Sequence, residues 1–180
     1  MKSAPVTHLA RFRHRLCVLY NWLATPADIW LLIRIVAWSV CLPLLKYLLP
    51  LPALVRLMSV RRRGGDRLPE REQRIIQLAF WLYRSRTPKG RGRCLERSLL
   101  LVRFLSLCDA SPQLVVGVSK RGGGLRGHAW VNVDGQPVGE SLAAVSDFVP
   151  VLLASNGGPV EPSIAGAYRA AFAHSDVVHD

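Results

Sequence analysis

Paired cysteines are missing from this 180-residue chain: Cys17, Cys41, Cys94 and Cys108 include no CxxC pair. A cleavable export signal is missing too, since the apolar N-terminal stretch lacks a small-residue cleavage site and carries Asp28 and Arg34. Without export the thiols stay reduced, and a disulfide framework is not expected. Acidic residues are scarce in the front half. Up to Arg93 there are eighteen Lys and Arg against four Asp and Glu, a balance of +14, whereas from Cys94 onward six face eight, a balance of −2. Such asymmetry suits an acidic partner: nucleic acid, anionic lipid or an acidic peptide. Nucleic acid is the poorest of these, because zinc-finger spacing, an aromatic RNA-binding signature and a helix-turn-helix are all lacking.

A clean bilayer-spanning run is also lacking. "LCVLYNWLATPADIWLLI" (16–33) and "IVAWSVCLPLLKYLLPLPALV" (35–55) approach the ~20 residues that a spanning helix needs. The first contains Asn21, Pro26 and Asp28; the second contains Lys46, with Pro43, Pro50 and Pro52 as breaks. Pro-broken helices with Trp22, Trp30 and Trp38 and basic flanks suit a membrane interface, or packing on the rest of the protein or on a partner.

What the chain does have is enough apolar material for a real core, with 50% hydrophobic and 20% charged residues. Its length suits one domain with an extra segment. Three parts are expected: an apolar, basic, helical segment and linker (1–69), a core (70–150) and a tail (151–180) with one helix near 163–173. "SVRRRGGDRLPERE" (59–72) is the charged linker between the first two. Ile75, Leu78, Ala79 and Leu82 repeat at helical spacing over 70–84. From Leu95 to Cys108 the helix is greasy all round, which predicts a central position. "QLVVGV" (113–118) reads as a buried strand. "HAWVNV" (128–133) alternates, with His128, Trp130 and Asn132 on one face. Asp134-Gly135 is a hairpin signal, with return through "QPVGE" (136–140).

Cys94 stands apart from the other cysteines, which lie in apolar runs as core filler. It follows "RGR" and opens its helix, where orphan N–H groups and the positive dipole end acidify a thiol. Those N–H groups also suit a tetrahedral oxyanion. An imidazole must share the proton, and His128 begins an accessible strand; His8, His14, His174 and His179 lie near the termini. A third group must orient the ring. Asp134 lies six residues along the strand, about 20 Å away at ~3.3 Å per residue, which leaves Glu140 on the returning strand. A strict two-residue loop pairs His128 with Ser141 and turns Glu140 to the opposite face. A three-residue loop with a bulge puts Glu140 diagonal to His128, so the odd loop is the expectation.

"GRCLERSLLLVRFL", "LVVGVSK" and "GHAWVNVDGQPVGE", in this order, resemble the transglutaminase-like core of the lasso peptide biosynthesis B2 proteins, over roughly residues 70–141. The resemblance implies an α+β, papain-related fold, in which a cysteine-bearing helix packs on a small antiparallel sheet. It also implies a cysteine peptidase that removes the leader from a ribosomally made precursor peptide. The family's nucleophile falls on Cys94, its general base on His128 and its acidic third member on Glu140. Family members commonly have Asp at that last position. No cofactor is implied. The implied partners are the precursor, an asparagine-synthetase-like macrolactam cyclase and, since residues 1–69 do not read as a strand-rich winged-helix unit, a separate leader-recognition protein. Such a protein is cytoplasmic, with membrane contact through its front segment.

The basic loops "SRTPKGRGR" (85–93) and "SKRGGGLRG" (119–127) suit an acidic peptide segment or are simply solvated turns. Rival readings are a transglutaminase or amidase using the same thiolate, and a non-catalytic peptide-binding or membrane protein. A zinc site from Cys94, Cys108, His128 and Glu140 is excluded: fourteen helical positions put the two sulfurs roughly 20 Å apart.

Overall fold

The computed structural model describes residues 26–60, 64–84, 93–120, 124–155 and 160–162. His8, His14, Cys17, Trp22, His174, His179, the expected helix near 163–173 and most of the loop at 85–93 lie outside them. Packing divides the chain into residues 1–37 and 38–180. The described elements are α1 (Pro26–Leu48), α2 (Leu51–Met58), α3 (Pro69–Arg84), α4 (Cys94–Ser106), β1 (Pro112–Ser119), β2 (Arg126–Val133), β3 (Gln136–Pro137), α5 (Leu142–Val145), β4 (Val149–Ser155) and β5 (Val160–Pro162). The strands form one antiparallel sheet in the order β3-β2-β1-β4-β5. This is the expected α+β arrangement, a cysteine-bearing helix laid on an antiparallel sheet.

The greasy helix is central. Leu99, Leu100, Leu101, Val102, Phe104 and Leu105 of α4 are all buried, because β1 and β2 cover one side while α2 and α3 cover others. In the sheet, Leu114 and Val131 are buried on one face, whereas Val115 and Trp130 on the other form a separate cluster with Val145, Phe148 and Leu153. The helical spacing of α3 is used as its sequence predicts: Ile75, Leu78, Ala79 and Leu82 are buried.

Two expectations about chain breaks are corrected. The first concerns the apolar front, which reads as two segments broken by proline. Instead one 23-residue helix crosses from the first segment into the second with Pro43 inside it. The missing Pro43 N–H costs one backbone bond to the residue-39 carbonyl, about 3 kcal/mol, and the Leu-rich turns on either side retain theirs. Pro26 opens α1, Pro50 caps α2 and Pro52 lies in the first turn of α2, positions where an absent donor costs nothing. By length and composition α1 is long and apolar enough to cross a membrane.

From Trp38 onward the front packs on α4. Lys46 Nζ meets Glu96 Oε1 at 2.8 Å, Arg103 donates to the Leu57 carbonyl at 3.1 Å, and the Arg103 guanidinium lies 4.1 Å from the centre of the Trp38 ring. The linker is also held. Asp109 accepts from the backbone N–H of Gly64 and Gly65 at 3.0 and 3.3 Å, and Arg67 grips Glu72 through two bonds while also reaching Asp134. The stretch after Asp147, which the sequence presents as an uninformative tail, supplies β4 as the neighbour of β1.

The second correction is the hairpin. Val133 pairs with Gln136 and Asn132 with Pro137, so the loop is the strict two-residue Asp134-Gly135 turn and not the bulged three-residue one. Both turn residues have positive φ (53° and 80°), as a hairpin turn that matches strand twist demands. The ladder runs one bond further, from the Val138 N–H to the Val131 carbonyl at 2.9 Å. Gly139 then adopts φ +71° and the chain leaves the ladder. Register therefore ceases to govern which way Glu140 points.

Candidate active site

Cys94 is the first residue of α4, after Arg93, which caps the helix without a side-chain bond. The first helical hydrogen bond runs from the Arg97 N–H to the Arg93 carbonyl, so the N–H groups of Cys94, Leu95 and Glu96 have no acceptor within the helix. One of them, that of Leu95, bonds to the sulfur. One turn on, Ser98 Oγ donates to the Ala129 carbonyl at 2.9 Å, a buried bond that fastens the helix to β2. Ala129 also gives its backbone N–H to the Cys94 sulfur. The pairing of Ser98 and Cys94 with one residue of β2 sets the thiol beside the strand that carries His128.

His128 is the third residue of β2 and pairs across the sheet with Gly117. Its ring is hydrogen-bonded to Cys94, and its Nε2 lies 2.6 Å from Glu140 Oε2. With Nε2 committed to the carboxylate, Nδ1 is the nitrogen left for the sulfur. The three residues singled out in the sequence are thus brought together. Asp134 is not among them: it sits at the hairpin turn, paired with Arg67.

The electrostatics follow from these contacts. Burial pushes the Cys94 thiol up, but the hydrogen bond and charge of His128 and the N–H groups of Ala129 and Leu95 outweigh it, leaving the thiol below its ordinary value. His128 moves the other way, to about 9, raised by its bonds to Cys94 and Glu140 against the opposing effect of burial. The two shifts run in opposite directions, and both favour the charged pair, a thiolate beside an imidazolium, over the neutral one. Cys108 shows the opposite case, since burial pushes its thiol up and leaves it inert.

Several residues around the pair are not among the site residues that the sequence offers, although Trp130 is read there on the His128 face of its strand. The Trp130 ring lies nearly parallel to that of His128 (19°), with centroids 5.9 Å apart, and Phe148 lies 5.1 Å from it. Gly117 makes room for both, since a Cβ there would come within 2.9 Å of the Trp130 ring and 3.0 Å of Phe148. Arg97 donates from Nη2 to Glu140 Oε1, and its guanidinium lies 4.1 Å from the centre of the Phe80 ring. Phe80 in turn abuts Gly139, where any Cβ would collide with the ring. Spacing offered one signal: Arg97 stands three residues after Cys94, on the same side of the helix. Nothing in the sequence marks Phe80 or Phe148.

Among the described residues no group of three or more His, Cys, Asp or Glu side chains is placed to hold a metal ion. Cys94 and Cys108 sit at opposite ends of α4. The chemistry available is that of an acidified thiol, a protonated imidazole poised to give up its proton, and a carboxylate holding the imidazole.

No curated protein and no solved structure gives a significant match to the chain. A family model, that of the transglutaminase-like superfamily, matches residues 32–153, from within α1 to within β4. That span takes in Cys94, His128, Glu140 and the strands β1 to β3, and by it the chain belongs to the transglutaminase-like superfamily.

Proposed function

We propose that this protein is a cysteine peptidase that removes the leader from a ribosomally synthesised lasso peptide precursor. The observation that carries the reading is the hydrogen-bonded series Cys94–His128–Glu140, with its thiol lowered and its imidazole raised. Membership of a superfamily whose members are generally cysteine-dependent enzymes supports it, as does the resemblance of "GRCLERSLLLVRFL" and "GHAWVNVDGQPVGE" to the lasso B2 proteins.

In this mechanism the Cys94 thiolate attacks the scissile carbonyl and forms a carbon–sulfur bond. The carbonyl oxygen becomes an oxyanion facing the free amides at the start of α4, the Cys94 N–H among them. His128 gives its proton to the departing amine, the carbon–nitrogen bond breaks, and one fragment leaves while the other remains as a thioester. Neutral His128 then takes a proton from water, and the resulting hydroxide attacks the thioester. Collapse returns the thiolate and releases the carboxylic acid. Glu140 keeps the ring turned towards the sulfur throughout. The acyl-enzyme is shared with transglutaminases and amidases; only the second attacker differs. No cofactor enters.

The precursor is brought by a separate recognition protein, and the freed core peptide passes to an asparagine-synthetase-like cyclase. Mass spectrometry of the precursor, incubated with this protein and the recognition protein, tests the assignment. Hydrolysis gives a free leader and a combined product mass greater by one water, and Cys94→Ala abolishes both. Transfer to an amine would give the mass of that amine instead. Leader removal undiminished in Cys94→Ala would overturn the enzymatic reading.

A membrane-facing role for the front segment is favoured by one observation. Val40, Leu44, Tyr47 and Leu48 of α1 are large apolar residues exposed at helical spacing, in the half of the chain that carries a charge balance of +14. Sedimentation of the full chain with anionic and with zwitterionic vesicles tests it. Binding to anionic vesicles that is lost in Val40→Gln/Leu44→Gln supports the role, and no binding to either removes it.

A further inference from the structure

We propose that Arg97 is a positioning residue for the Cys94–His128 pair: it holds one oxygen of Glu140 so that the other meets His128. The proposal rests on the reading of these residues as an active site. It adds a member that neither the sequence pattern nor the family match singles out.

Glu140 needs such a fixture. It does not lie in a strand, because β3 ends at Pro137 and Gly139 turns the chain away at φ +71°. Its backbone is therefore not registered against β2, and its side chain has several rotatable bonds with which to wander. Among the described residues two contacts fix it, and they divide its oxygens: Oε1 accepts from Arg97 Nη2, Oε2 lies 2.6 Å from His128 Nε2. Arg97 is itself constrained. It belongs to α4, three residues from Cys94, and its guanidinium plane rests against Phe80 at 4.1 Å from the ring centre. Side-chain exposure falls to 17% for Arg97 and 11% for Glu140, so neither group is a loose surface partner. The same helix thus delivers the sulfur and, one turn later, the clamp on the group that orients the imidazole. A guanidinium suits the task because its planar donors fix direction as well as distance. Phe80 completes the arrangement: it packs on Arg97 from α3 and meets the chain at Gly139, the residue before the carboxylate.

Charge and position predict opposite outcomes, which makes the proposal testable. If Arg97 acted only as a nearby positive charge, its removal would ease protonation of His128, and the imidazole would titrate higher. If it acts by holding Glu140, removal frees the carboxylate, His128 loses a bond that raises it, and the imidazole titrates lower.

The experiment uses the full chain and no substrate. The C2–H proton of His128 is titrated by NMR, and the rate of Cys94 alkylation by iodoacetamide is followed against pH. In Arg97→Met, which keeps the packing on Phe80, the His128 midpoint falls from about 9 by roughly one unit or more, tenfold in proton affinity, and the alkylation midpoint rises. In a Glu140→Gln background the same substitution adds less than about twofold, since its route of action is already cut. Arg97→Lys restores part of the effect. A midpoint unchanged or raised in Arg97→Met, or an undiminished effect in the Glu140→Gln background, overturns the proposal. Should Arg97→Met not fold, Arg97→Gln is read in the same way. These titrations stand apart from leader cleavage. If no peptide is ever cut while they come out as stated, the peptidase reading falls and the positioning role stands; cleavage by the wild type with flat titrations gives the reverse.

Discussion

Replacing Gly139 by alanine would test how the chain turns Glu140 towards His128. Two costs add. Gly139 has φ +71°, and a left-handed backbone costs an L-residue about 1–2 kcal/mol. The added Cβ also runs into the Phe80 ring, and overpacking of this kind costs about 1–3 kcal/mol. The sum is about 2–5 kcal/mol, or a fall in Tm on the order of 10 °C for a chain of this size. Gly135 supplies the control. It too has positive φ, at 80°, but open space where a Cβ would go, so Gly135→Ala should cost only the backbone part, about 1–2 kcal/mol. Urea denaturation of both variants gives the difference directly, and that difference is the collision with the ring. A third measurement isolates it: in a Phe80→Ala background, Gly139→Ala should lose the steric part of its cost. Alkylation of Cys94 adds a functional readout, since displacing Glu140 should move the alkylation midpoint towards the ordinary thiol value. The reasoning fails if Gly139→Ala is no more damaging than Gly135→Ala, or if its cost is the same without the Phe80 ring.

The pH dependence follows from the paired titration of Cys94 and His128. Cys94 is lowered, so its alkylation midpoint should lie below the ordinary thiol value; His128→Ala should move that midpoint upward. Turnover needs the imidazolium as well and should fall as the pH rises through about 9. The same sign holds for stability. His128 titrates near 6.5 when unfolded and at about 9 when folded, so its contribution is complete below pH 6.5 and is lost as the pH rises through about 9; chemical denaturation at two pH values measures it. Lys46→Met should cost about 1–3 kcal/mol, because the buried Glu96 carboxylate loses its 2.8 Å partner. Pairing that change with Glu96→Gln should recover much of the loss in the same denaturation assay.

What could be read from the sequence were elements whose signal is local. Leu99 to Leu105 announce a central helix, and Cys94 at its start announces an acidified thiol, although the structure half-buries it. The alternation of "HAWVNV" and the Asp134-Gly135 turn announce the hairpin. Glu140 escapes the strand register because the returning strand does not continue to it: Gly139, at φ +71°, turns the chain aside. The two-residue loop and the His128–Glu140 contact therefore coexist. Pro43 misled in the opposite direction, because a single lost bond does not end a Leu-rich helix. β4 was obscured by Pro150 and by the Gly-Pro-rich residues beyond it, and its pairing with β1 spans more than thirty residues, which no local pattern encodes. Phe80 and Phe148 become visible only when the sheet and helices have closed around His128.

The order in which these groups come along the chain has a consequence for synthesis. The sulfur is made first, at residue 94, the imidazole thirty-four residues later, and the carboxylate twelve residues after that. A nascent chain halted before β2 carries a cysteine with no base beside it, and its side chain is an ordinary, sluggish thiol. The acidified thiol arrives only when the strand docks on the helix, so closure of helix and strand is itself what arms the protein.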